Sequence, residues 1–279
     1  MKPWSAAKRA FMSFWYPYVG TLNSIWPSIT VAGKRLVISS GVYKPLENEQ
    51  FCAEYVNQGD RVLDLGCGSG VCAIFAAPKA REVLAVDISQ AAVKNTEENC
   101  KRLGLTNVVV KQSDMFGNVD GKFDLILANP PYIAAEFEDE EEQFATSVRF
   151  LPSLFAQAGA HLNKDGRVLV QFPIWFRPRI EALAAANGLN LLSVKRLPLK
   201  SPGLFLLSLA YMQVGWRSAF FLLQPAPAAA KAKAPAAKAS PAKANPAKAS
   251  PAKARPAKAA ATAPKPSAGS ATKRRPRRA

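Results

Sequence analysis

Between residues 61 and 211, short apolar runs alternate with segments whose apolar side chains recur every three or four positions. Strands buried on both faces read as unbroken apolar runs and amphipathic helices show the longer period, so this alternation predicts a parallel sheet covered on both sides by helices. Strands are predicted at 61–65, 82–87, 107–111, 123–128 and 167–172, and helices at 71–77, 89–103, 150–162 and 177–186. Ser89 is the expected N-cap of the second helix and Gly104 its stop, while Gly188 ends the last. Two further runs, 191–196 and 204–211, flank the short connection "LPLKSPG" and are expected to pair antiparallel at one edge. Upstream, "ITVAGKRLVI" predicts a hairpin turning at Ala32-Gly33, and a helix is expected at 47–56. The predicted class is α/β: a doubly wound, mostly parallel seven-stranded sheet with an antiparallel edge hairpin.

This patterning stops after Leu223. Residues 240–259, "SPAKANPAKASPAKARPAKA", repeat every five positions with one proline and one lysine per unit. Each interior proline costs a helix about 3 kcal/mol, and no large apolar side chain is present to offset chain entropy, so disorder is expected. The chain therefore divides into an aromatic-rich arm and hairpin (1–46), a folded domain (47–223) and a basic tail (224–279). The tail carries fourteen Lys/Arg and no Asp or Glu, 14 of the net charge of +17. The remaining 223 residues hold 23 basic and 20 acidic side chains, close to neutrality. The tail resembles the lysine-alanine-proline tails of histone H1, and a run of this kind binds nucleic acid through counterion release without reading sequence.

Lys8-Arg9 precede an apolar stretch, 10–20, with a faint similarity to a secretory signal. Pro17 interrupts it, and it falls short of the roughly 20 residues a spanning helix requires. No membrane partner is expected, and the aromatic residues of the arm (Trp4, Phe11, Phe14, Trp15, Tyr16, Tyr18 and Trp26) are expected to pack on the domain or contact substrate. Cys52, Cys67, Cys72 and Cys100 form no CxxC pair, and with the single histidine, His161, they offer no zinc pattern. No metal is expected. The setting expected is reducing and cytoplasmic, with the tail favouring nucleoid or ribosome association.

Candidate chemistry gathers at the carboxyl ends of the predicted strands, where open α/β sheets bind ligands. "DLGCGSG", residues 64–70, follows the first strand: Gly66, Gly68 and Gly70 let backbone amides approach a ligand, and Asp64 places a carboxylate beside them. The glycine order is not that of a dinucleotide fingerprint, and the leading acid suits a ligand bearing an amino group. Asp87 ends the second strand, where an acid can accept ribose hydroxyls. Asp114 follows the third, near the expected place of an adenine. Each aspartate taken singly is as well explained as a cap or turn residue; their coincidence on one sheet end favours a bound nucleoside.

Asn129-Pro130-Pro131-Tyr132 follows the fourth strand. The two prolines stiffen the turn, so the Asn129 side-chain oxygen and the Pro130 carbonyl can hold both hydrogens of a planar NH₂ group and aim its nitrogen at an electrophile, without a strong base. Tyr132 can stack on the planar group and offer its π face to a cation. Six carboxylates follow closely, Glu136 and residues 138–142. They are expected to form a solvated rim that favours a basic protein segment, with the chain's own tail as one possible occupant.

These residues resemble the class I S-adenosylmethionine-dependent methyltransferases, whose first motif "DLGCGSG" matches, with Asp87 as the ribose-binding acid and "NPPY" as the motif of members that methylate exocyclic or amide nitrogen. "GVYKPLENEQF", residues 41–51, is similar to the segment preceding the first motif in HemK/PrmC-type glutamine methyltransferases. The resemblance implies a Rossmann-like fold, S-adenosylmethionine as cofactor, and methylation of a protein glutamine such as that of a release-factor GGQ loop or another ribosome-associated protein. It implies Asn129, Pro130 and Tyr132 as catalytic, and Asp64, Gly66, Cys67, Gly68, Gly70, Asp87, Ile88, Asp114, Met115 and Asn129 as cofactor-binding. Two other readings stay open: an RNA or DNA base methyltransferase acting on adenine N6 or guanine N2, and a nucleic-acid-coating protein with a catalytically inactive domain.

Overall fold

A computed structural model describes residues 3–132, 149–213 and 217–226, with side chains from residue 10 onward. The expected acidic rim and most of the expected basic tail lie outside these residues. The domain opens with a long helix, α1 (Pro3–Ile25), and a hairpin of β1 (Ser28–Val31) and β2 (Lys34–Val37). That hairpin turns at Ala32-Gly33 with positive φ at both residues, as anticipated for a two-residue loop. A 3-10 turn, Glu49–Tyr55, occupies the segment where a helix was expected.

The alternating region folds as β3 (Arg61–Leu65), α2 (Val71–Ala76), β4 (Glu82–Asp87), α3 (Gln90–Arg102), β5 (Val108–Gln112), β6 (Phe123–Ala128), α4 (Phe150–Ala158), β7 (Leu162–Pro173), α5 (Arg177–Ala186), β8 (Leu189–Arg196), α6 (Pro202–Ala210) and β9 (Ser218–Pro225). The sheet has seven strands in the order β5-β4-β3-β6-β7-β9-β8. Pairs from β5 through β7 are parallel, whereas β9 runs antiparallel to both β7 and β8. Strand order reverses beside β3, which opens a crevice at the carboxyl ends of β3 and β6.

Successive residues of a strand face opposite sides of the sheet, and the core divides accordingly. Val62, Ala85, Leu125 and Leu169 pack with Ala73 and Ile74 of α2 and Ala92 of α3 on one face. Leu63, Val86, Ile126 and Val170 pack with Leu154 and Phe155 of α4 and Ile180 of α5 on the other.

The edge pair forms, but with a different partner. Of residues 204–211, expected as its second strand, all but the C-cap Tyr211 belong to α6: Ser201 accepts from Leu204 N at 3.3 Å and Pro202 opens the first turn. A Ser-Pro start ahead of Leu-, Ser- and Ala-rich sequence without β-branched residues supports a helix, and an apolar run alone does not distinguish the two. The true partner of β8 is β9, whose pairing continues through Gln224 and Pro225 into the segment expected to be tail.

α1 passes through Pro17 without ending there. Its Met12, Trp15, Val19 and Leu22 pack with Leu46 and Tyr211. Trp15 Nε1 donates to the Tyr211 carbonyl at 3.0 Å, Tyr18 donates to the Ala210 carbonyl at 2.8 Å, and the Tyr211 hydroxyl donates to Asn23 Oδ1 at 2.9 Å. Among the described residues, no helix is long and apolar enough to cross a membrane.

Candidate active site

The glycine turn after β3 is held from two sides. Gly66 N and Cys67 N donate to the Val86 carbonyl at 2.8 and 2.9 Å, and Gly68 N donates to Asp87 Oδ2 at 2.9 Å. Gly66, Gly68 and Gly70 all have positive φ, at 78°, 55° and 81°. Gly68 has open space where a Cβ would stand, so a ligand can approach its backbone. A Cβ on Gly70 would instead lie 2.8 Å from Thr96 Cγ2, so this glycine serves the contact between the turn and α3.

α3 contributes more than its apolar face. Thr96 donates to the Gly68 carbonyl at 3.0 Å, and Asn99 Nδ2 donates to the Ser69 carbonyl at 3.0 Å. Asn95 and Asn99 also bracket β2: Asn99 Oδ1 accepts from Val37 N at 2.7 Å, and Asn95 Oδ1 accepts from Ser39 N at 2.6 Å. Sequence reasoning missed these positioning residues. The signal available in sequence was three polar residues, Asn95, Thr96 and Asn99, spaced to share the helix face of Ala92 and Cys100.

Asp64 is buried and accepts from Ala73 N at 2.9 Å, within the first turn of α2. Burial pushes its carboxyl up to about 7, with Asp87 adding to the rise and the Ala73 amide opposing it. Asp87 accepts from Gly68 N on one oxygen and from Ser89 N on the other, at 2.9 Å each, which leaves each oxygen a further lone pair, and burial raises its pKa as well.

Asn129 and the two prolines continue β6 beside this turn. The Tyr132 hydroxyl donates to Asn129 Oδ1 at 3.1 Å and lies 3.5 Å from Ser218 Oγ, while its ring meets Phe172 edge-on at 5.3 Å. Ser218 Oγ donates to Glu47 Oε2 at 3.0 Å, and Lys200 pairs with Glu47 Oε1 and also donates to Ser208 Oγ at 2.8 Å. Tyr43 donates to buried Glu49 at 3.3 Å. Burial pushes the Tyr43 and Tyr132 hydroxyls upward, reinforced by Glu49 and Glu47 respectively.

One cavity of about 340 Å³ joins these parts. Every residue assigned a role from the sequence lines it except Gly70: Asp64, Gly66, Cys67, Gly68, Asp87, Ile88, Asp114 and Met115 on one side, Asn129, Pro130 and Tyr132 on the other. Phe11 and Trp15 of α1, Tyr43, Phe150, Met212 and Gln213 are among the other residues of the wall. These were unassigned in sequence, although the aromatic density of the arm pointed to α1. The cysteines are free and buried, His161 stacks on Phe116 at 4.5 Å, and among the described residues no cluster of three metal-ligating side chains forms.

A family model described as "Methyltransferase small domain" matches residues 49–172. A provisionally named protein N5-glutamine methyltransferase of Methanocaldococcus jannaschii is 39% identical over 153 residues, covering 54% of this chain and 72% of that protein. The chain belongs to the small-domain family of class I methyltransferases. Its methyl donor is S-adenosylmethionine. The ribosomal protein L11 methyltransferase of Thermosipho africanus is 47% identical over 122 residues, 43% of this methyltransferase and 40% of that enzyme, so the chain spans less than half of that relative. The solved tRNA m1G37 methyltransferase of Methanocaldococcus jannaschii superposes with a TM-score of 0.52 at 18% identity, covering 72% of this methyltransferase and 56% of that chain, a likeness of fold.

Proposed function

We propose that this methyltransferase transfers a methyl group to the side-chain amide nitrogen of a protein glutamine. The carrying observation is the placement of Asn129 Oδ1, fixed by the Tyr132 hydroxyl at 3.1 Å, on the same cavity wall system as the Gly66 to Gly68 turn. A relative 39% identical whose name gives protein N5-glutamine methylation supports this reading.

The residues fit the donor. Gly68 leaves open space over its backbone, and Asp87 closes the end of β4 with acceptor oxygens suited to ribose hydroxyls. Ile88 and Met115 supply apolar surface for the base, Asp114 stands at the exposed rim, and Asp64 faces the cavity as the acid for an amino group. When bound, the donor supplies an electrophilic methyl carbon on a sulfonium.

Asn129 Oδ1 and the Pro130 carbonyl accept the two hydrogens of the acceptor NH₂, and the stiff turn fixes their direction before substrate arrives. An amide nitrogen is a poor nucleophile because its lone pair is delocalised, so orientation and exclusion of water supply most of the rate. Buried Trp15 and half-buried Phe150 give that space apolar walls, with Phe11 at its exposed edge. Tyr132 holds the Asn129 carboxamide by its hydroxyl and presents its ring to the site. The basic segment beyond residue 226 tethers the enzyme to nucleic acid, bringing it to ribosome-associated protein.

Incubation with labelled S-adenosylmethionine and cell lysate, followed by protease or nuclease, tests the acceptor class. Label lost to protease and retained after nuclease is expected. Label lost to nuclease would assign a nucleic-acid base instead.

A further inference from the structure

Two tyrosine-carboxylate couples stand behind the cavity, and they differ in one respect. Tyr132 reaches Glu47 through Ser218, and Glu47 is neutralised by Lys200. Tyr43 donates directly to Glu49 Oε1 at 3.3 Å, and Glu49, 1% exposed, has no cation within ion-pair distance among the described residues. Its other oxygen accepts from Glu47 N at 3.0 Å. The charged and titratable groups facing it are Tyr43, Glu47, Tyr132 and Cys72, none of them cationic. A buried carboxylate without a counter-ion is costly to the fold and marks a functional position when it adjoins a cleft.

We propose that Tyr43 and Glu49 form a proton relay that takes up the proton released when the acceptor nitrogen is methylated. The proposal rests on the N-methylation reading above. As the nitrogen-carbon bond forms and the methyl-sulfur bond breaks, the electron pair of the broken bond stays on sulfur. The nitrogen then carries one hydrogen too many. An amide nitrogen is too weakly basic to hold it, so proton loss overlaps with bond formation. Asn129 Oδ1 and the Pro130 carbonyl are amide oxygens and cannot keep a proton. As the nitrogen turns tetrahedral, one of the two hydrogens leaves its amide-oxygen acceptor for the Tyr43 oxygen on the cavity wall, while the hydroxyl proton of Tyr43 passes to Glu49 Oε1. The nitrogen keeps the N–H electron pair, and Glu49 ends protonated and neutral. After product release, half-buried Tyr43 returns the proton to solvent by the same path. Catalytic hydrogen bonds are often long before substrate binds, and 3.3 Å falls in that range. Tyr43 is the catalytic residue in this scheme and Glu49 acts through it.

Burial pushes the Glu49 carboxyl up to about 7, with Glu47 adding to the rise. The relay requires the ionised form, so the rate should climb as pH rises through about 7 and then level. Glu49→Gln in the full chain is expected to lower the plateau roughly 10²-fold and to remove the climb. Tyr43→Phe should do the same, and the double variant should lose no more than either. A readout independent of turnover is thermal stability. The folded pKa exceeds the ordinary value of 4.5, so wild-type stability from this group is full below that value and is lost as pH rises through about 7. Glu49→Gln should therefore have a Tm at pH 8 equal to or above wild type.

The assay is labelled transfer to lysate at saturating S-adenosylmethionine, so that the pH-dependent donor affinity set by Asp64 does not enter, measured from pH 5.5 to 8.5 (roughly the span over which such a group titrates). A Glu49→Gln or Tyr43→Phe enzyme with the wild-type rate at pH 8, or with the same fractional loss at every pH, would overturn the relay. If the label is nuclease-sensitive, the glutamine reading fails while the same pH comparison still decides the relay.

Discussion

The hydroxyl of Tyr132 donates to Asn129 Oδ1 at 3.1 Å across three residues of a turn stiffened by two prolines. The carboxamide is thus oriented in the free protein, with its oxygen rather than its nitrogen fixed by a donor. Removing that hydroxyl with Tyr132→Phe should slow methyl transfer about tenfold, the loss expected of one positioning hydrogen bond. Calorimetry should show donor affinity unchanged, because the hydroxyl belongs to the acceptor side.

Asn129→Ala should be far more damaging. It removes one of two acceptors for the reacting NH₂, and turnover should fall by roughly 10² to 10³-fold. Donor affinity should remain within a few fold. Unchanged turnover would remove Asn129 from the chemistry.

Gly70→Ala and Gly68→Ala should separate steric from functional glycines. At Gly70, a Cβ 2.8 Å from Thr96 Cγ2 adds a clash to the strain of φ 81°, and a loss of about 1–3 kcal/mol is expected by chemical denaturation. Combining it with Thr96→Ser should recover only part of the steric loss, because the residue 96 hydroxyl oxygen still stands 3.0 Å from the added Cβ. Gly68→Ala meets nothing in the free protein, so its larger effect should be on donor binding, read by calorimetry.

Asp64 gives a pH signature. Its folded pKa lies at about 7, above the ordinary 3.8, mainly through burial. Its contribution to stability is full below the ordinary value and is lost as pH rises through about 7. Asp64→Asn keeps an oxygen for Ala73 N and avoids that loss, so its Tm relative to wild type should improve steadily from pH 4 to 8 (roughly the interval bracketing both values). A cationic donor group draws the proton from Asp64, so wild-type donor affinity should rise over the same interval and that of Asp64→Asn should not.

The full chain should bind duplex nucleic acid with a steep dependence on salt, through the fourteen basic residues of the C-terminal segment. Truncation after Ala226 spares β9, whose pairing ends at Pro225, and the Ala226 N to Gly188 carbonyl bond at 2.8 Å. The truncated enzyme should lose most of the salt slope. A retained slope would locate binding on the folded domain.

Local sequence determined the parallel half of this methyltransferase. Apolar runs marked β3, β4 and β6 to the residue, Ser89 and Gly104 marked the ends of α3, and the glycine turn and Asn-Pro-Pro-Tyr carry their backbone constraints in their own residue types. Those features depend on neighbours in the chain, and short-range sterics decide them wherever the segment is placed. Tertiary structure alone decided the rest. Ser218–Pro225 became the inserted strand in place of the run at 204–211, because an apolar run fits either state until a partner such as Gln171 or Lys195 opposite Phe220 selects one. Only folding brings Phe11, Trp15, Tyr43 and Gln213 to one cavity, and only burial turns Glu49 from a surface acid into one pushed to about 7. Desolvation and long-range packing act between residues far apart in the chain, and no local pattern encodes them.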